Sequence, residues 1–173
     1  MFDDNDIKIF GESKAVKKEE TANLPKEKIE KAKTIGKKVA EIFIADYISQ
    51  KNEISSETEF LPQRILLLSF TATAGFNEYI GDDTLVGFAQ KSFLDAVRNQ
   101  SEELYRASSD MGSFSFYYLA YRRDNDIERR IGQTFAMLCS HDGDPIFQEL
   151  GEALFCWFVS KVKSIVEDNL DII

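Results

Sequence analysis

Ile65-Leu66-Leu67-Leu68-Ser69-Phe70-Thr71-Ala72-Thr73-Ala74-Gly75-Phe76 is the stretch whose reading decides the fold. With Tyr79 and Ile80 just beyond it, its apolar side chains point in almost every direction around a helix. A helix that is apolar all round has to be covered by other elements. The stretch therefore predicts a buried, central helix. At 12 residues, interrupted by Ser69, Thr71 and Thr73, it falls well short of the roughly 20 apolar residues needed to cross a bilayer.

On either side the pattern changes to one-faced helices. The central helix opens at a capping box, Ser56-Glu57-Thr58-Glu59, with Pro62 just inside, and extends to about Ile80. A first helix begins at Asn23-Leu24-Pro25 and runs to about Lys51, with Ile29, Ala32, Ile35, Gly36, Val39, Ile42 and Phe43 on one face. Gly81-Asp82-Asp83 ends the second helix and caps a third, whose stripe Val86, Ala89, Phe93, Val97 and Leu104 runs to about Ser108. Residues 111–140 predict a fourth helix, with a break or a second cap at Asp124-Asn125-Asp126. Asp144-Pro145 opens the last, Ile146 to about Asn169, with the stripe Phe147, Leu150, Leu154, Trp157, Phe158 and Ile165. The fold class that follows is all-α, an antiparallel helical bundle of five to six helices in a single domain over residues 24–173. Residues 1–23 are expected to form a flexible tail, in which Ile7-Lys8-Ile9-Phe10 alternates like a short strand or docking piece.

Composition narrows the function classes. The 173 residues are 43% hydrophobic and 29% charged, with three Pro and nine Gly, which excludes collagen-like and low-complexity chains. Cys139 and Cys156 form no CxxC pair, so neither a zinc knuckle nor a secreted disulfide framework is expected. The acidic start, Met1-Phe2-Asp3-Asp4-Asn5-Asp6, is unlike a signal peptide, and the expectation is a cytoplasmic protein. Of the net charge of −9, residues 1–38 contribute +2 and the remainder −11. An acidic body repels phosphate backbones, so nucleic acid is not an expected partner. The lysine-rich run Lys14 to Lys38 has no interleaved aromatics on which bases could stack.

Four constellations stand out as candidate sites. On the second helix Arg64, Thr71, Gly75 and Glu78 are seven, four and three apart and share a narrow polar strip. That strip is either a ligand groove inside the bundle or the line where a mostly buried helix meets water. Asp46 and Lys161 each interrupt an apolar stripe and are candidates for a buried ion pair, which would fix register more than it would add stability. Arg122, Arg123, Arg129 and Arg130 share a face if the helix runs through residue 124, making a ridge for an anion or an acidic partner, unless Asp124, Asp126 and Glu128 neutralise it. Phe114, Tyr117, Tyr118 and Tyr121 are either core or, if exposed, an association surface.

His141, the lone histidine, sits in Cys139-Ser140-His141-Asp142-Gly143-Asp144. The spacing suits neither a zinc site nor a calcium loop, and a capped turn accounts for every residue. No metal or cofactor is expected. The chain has no GxxxxGK[ST], GxGxxG, GxSxG or HExxH motif. The expectation is a non-enzymatic protein-interaction or accessory module that self-associates as a homodimer. The alternative is a small-molecule or anion sensor that binds along the helix-two strip or at the arginine ridge.

Overall fold

The computed structural model describes residues 24–53, 60–123 and 125–170. The N-terminal segment 1–23 and the capping box at 56–59 lie outside the described residues. The described residues form seven helices: α1 (Lys26–Glu53), α2 (Phe60–Ile80), α3 (Asp83–Gln100), α4 (Glu102–Ala107), α5 (Met111–Tyr121), α6 (Ile127–Leu138) and α7 (Pro145–Leu170). No strand occurs among the described residues. The all-α class holds. The count exceeds five to six because two of the expected helices are each broken once.

The breaks have local causes. Ser101 adopts an extended backbone (φ −162°, ψ 123°), ends α3 by donating its N–H to the Val97 carbonyl, and starts α4 by accepting the Leu104 N–H on its side chain. One serine thus serves as the C-cap of one helix and the N-cap of the next. The expected continuous run to Ser108 is therefore two helices. Farther on, Arg122 caps α5, and Asp126 takes a left-handed conformation (φ 55°) before α6 begins. A residue in that region cannot continue a right-handed helix.

α2 sits where its composition requires. Every residue from Ile65 to Phe76 is buried, with α1, α3, α5 and α7 packed against the helix. Sequence neighbours alternate in direction, which leaves α1 and α3 side by side and parallel: Lys33 lies level with Phe88 and Ser92, and Ile44 with Ala96 and Asn99. At Gly36 a Cβ would collide with the Ala89 carbonyl oxygen and the Phe93 nitrogen, so the two helices touch backbone to backbone there. Gly132 does the same for α6 against the Gln148 carbonyl of α7. Between these crossings the core is aromatic. Phe43 packs edge-on to Phe93 at 5.4 Å and tilted to Phe158 at 6.4 Å, while Phe76 meets Phe93 at 6.1 Å. Each such ring contributes about 2–3 kcal/mol by burial, with a further ~1 kcal/mol from edge-to-face geometry.

Candidate functional site

The polar strip of α2 does not form a single site. Arg64 is turned onto α1, where Nε donates to Asp46 Oδ2 at 3.0 Å and Nη2 to Oδ1 at 2.7 Å. The two side chains are only 12% and 13% exposed. This bidentate pair explains why an aspartate interrupts the apolar stripe of α1. It also corrects the expected partner: Asp46 is paired with Arg64, and Lys161 is exposed on α7. A lysine on an apolar stripe can keep its ammonium in water by extending its stem along the surface.

The rest of the strip is occupied elsewhere. Thr71 is fully buried and donates its hydroxyl to the Leu67 carbonyl one turn back, at 2.7 Å. Gly75 does permit a close approach, but the group that approaches is Val162 of α7, whose Cγ1 lies 2.6 Å from where a Cβ would be. Glu78 is exposed at the far end, about 21 Å along the helix from Arg64 at 1.5 Å per residue. The Tyr121 hydroxyl has its pKa raised by burial first and by the nearby Glu78 charge second. Arg64, Thr71 and Glu78 therefore enclose no common space.

The arginine ridge loses its premise as well. It required one helix through residue 124, whereas α5 ends at Tyr121 and α6 starts at Ile127. Arg122 lies over the Tyr118 ring at 5.5 Å, and Arg123 and Arg129 are exposed. The His141 segment is the expected turn. His141 N–H reaches the Ala136 carbonyl at 2.8 Å with Ser140 left-handed at φ 62°, which is a Schellman ending of α6. The imidazole stacks on Phe147 at 3.9 Å, and Asp144 accepts the Ile146 N–H at the start of α7. No group of three or more metal-ligating side chains occurs among the described residues. No helix among them is long and apolar enough to cross a membrane.

Of the two alternatives for the aromatic segment, the structure takes the core one. Phe114, Tyr117 and Tyr121 surround Phe70 of α2 at 5.7, 5.5 and 6.0 Å. Tyr117 is fully buried, and Phe114, Tyr118 and Tyr121 are half-buried against the core. Burial pushes the Tyr117 phenol far above its ordinary value, with the Cys139 thiol close enough to add to the shift. Its hydroxyl finds no hydrogen-bond partner among the described residues.

The side chains left in water on α5 are others. Met111, Phe116 and Leu119 are 55%, 49% and 62% exposed. From Met111 to Tyr121 the helix carries no charged residue. The usable signal was in the sequence: like the 65–76 stretch, 111–121 is apolar in all directions, so a one-sided cover must leave apolar atoms outside.

A second feature escaped the sequence reading because it spans two helices. An open groove of about 600 Å³ lies between α1 and α3, floored by Ile44, Phe88 and Ala96 and rimmed by Lys33, Lys37 and Lys91 together with Glu41 and Asp95. Lys33 is held by Glu30 at 2.7 Å and lies over Phe88, and Lys91 leans towards Asp95 at 3.7 Å. No protein-family model, no curated protein and no solved structure matches this chain.

Proposed function

We propose that this chain is a non-enzymatic protein-interaction or accessory module that works by self-association. The observation that carries the reading is the outward face of α5, where Met111, Phe116 and Leu119 stand in water with no charged residue among them. A contiguous apolar face on a chain this charged is the usual mark of a protein contact. Charge depletion with aromatic and methionine enrichment is the composition of interface centres. Sedimentation velocity over a hundredfold range of concentration tests it. The expected result is a mass that rises towards twice the monomer, and a Leu119→Lys variant that remains monomeric with unchanged helicity. A wild-type chain that sediments as a monomer throughout contradicts the reading.

The second reading, a small-anion sensor, is supported by the α1–α3 groove and no longer by the α2 strip. Its volume is in the range of small-molecule sites. Three lysines around Phe88 offer an ammonium rim above an apolar floor. Titration with inorganic phosphate, followed by NMR shifts of Lys33, Lys37 and Lys91, would favour this reading if those signals moved saturably and together.

A further inference from the structure

We infer that two copies of the chain meet through the outward faces of α5, antiparallel, about a two-fold axis beside Ser115 and Phe116; the inference rests on the self-association reading above. At 100° per residue, Met111, Ser115, Leu119, Gly112 and Phe116 fall within an arc of about 140°. All five are exposed, while Phe114, Tyr117 and Tyr121 point the other way, onto Phe70. The face is therefore continuous along α5.

Three observations select a second copy as the occupant. First, copies that each carry −9 repel one another, and α5 offers an exposed helix face without charge on which they can approach. Second, the face is self-complementary in shape. In the antiparallel register that sets Ser115 against Phe116 of the second copy, Leu119 meets Gly112 at one end, and the reciprocal contact forms at the other. The space beside Gly112 is open, because a Cβ there would meet only Asp110 Oδ1, at 3.3 Å. A two-fold interface makes each such contact twice. Third, the charges lie at opposite ends: Asp110 caps the N-terminus of α5 and Arg122 its C-terminus, both exposed. The antiparallel register brings Asp110 of one copy towards Arg122 of the other at both ends, whereas a parallel register would set like charges together. One short helix pair covers less than the ~800 Å² per partner of a standard interface, so the dimer is a weak one that dissociates on dilution.

Cross-linking of the full chain tests the geometry. In a Cys156→Ser background, Ser115→Cys places a thiol next to the axis, and mild oxidation should give a covalent dimer in high yield. Ser160→Cys, exposed on α7, should give none above background. Gly112→Phe should fill the Leu119 pocket and lower the dimer fraction at least tenfold while leaving the circular dichroism spectrum unchanged. A dimer that survives Gly112→Phe and does not cross-link through Ser115→Cys overturns this interface and leaves self-association standing. A chain that is monomeric at every concentration overturns both.

Discussion

Helices α2 and α5 share a property of sequence and differ in what surrounds them. Both are apolar in every direction. From Ile65 to Phe76 every residue of α2 is buried, whereas α5 buries Tyr117 alone and leaves Met111, Phe116 and Leu119 about half exposed or more. α2 reaches this because α1, α3, α5 and α7 all pack on it. α5 lies at the rim, with its inward tyrosines on Phe70 and nothing among the described residues on its other side. An all-round apolar helix thus identifies a demand for cover, and the neighbours decide whether the chain itself meets it.

Substitutions that remove the same kind of side chain from the two helices should break the comparison most visibly. Phe76→Ala or Leu67→Ala in α2 is expected to cost about 3–5 kcal/mol, read as a shift in the urea midpoint, because the site is closed on all sides and cannot collapse. A loss below about 1 kcal/mol would mean that α2 is not the centre. Next comes the ion pair that ties α2 to α1. Arg64→Met leaves the Asp46 carboxylate nearly dry, and about 2–3 kcal/mol should be lost, somewhat less than for a completely buried pair. The double variant Arg64→Met with Asp46→Leu should recover most of that loss, since apolar packing replaces charge on both sides.

Tyr117 sharpens the contrast from the inner side of α5. Its hydroxyl is buried without an acceptor among the described residues, so Tyr117→Phe should be neutral or raise stability by up to about 1 kcal/mol. The sign of the pH effect follows from the raised pKa. A phenol that stays protonated in the folded chain but ionises near its ordinary value of 10.0 in the unfolded chain stabilises the fold below that pH and ceases to as pH rises above it. Alkaline unfolding should therefore begin near pH 10 and be less steep in Tyr117→Phe. Tyr79 and Tyr121 are shifted in the same direction by burial, so the slope is reduced and not abolished. The smallest effect belongs to the outer side. Leu119→Ala should change monomer stability by less than about 0.5 kcal/mol, since the side chain is already 62% exposed.

The fold was largely legible because periodicity, caps and prolines act locally. The 65–76 stretch required a central helix, and Asp144-Pro145 marked the start of α7 within one residue. What could not be read was the outcome of competition between local and distant partners. Ser101 looked like one more polar residue on a continuous helix, but it caps in both directions. Arg64 and Asp46 were each singled out, in two different constellations. Their pairing depends on how α1 and α2 cross, and no spacing within one helix encodes that. The tyrosines of α5 suited either the core or an interface, because aromatics dominate both. The core needed those rings around Phe70, and the exposed face fell to Met111, Phe116 and Leu119.

Amide hydrogen exchange read segment by segment as a function of protein concentration tests the central claim most directly, because it follows α2 and α5 in the same sample. The expected result is that protection of residues 111–121 rises with concentration, while protection of residues 65–76, already set by the core, stays constant. Exchange of α5 that is fast and independent of concentration would contradict the claim that a second copy covers its outward face.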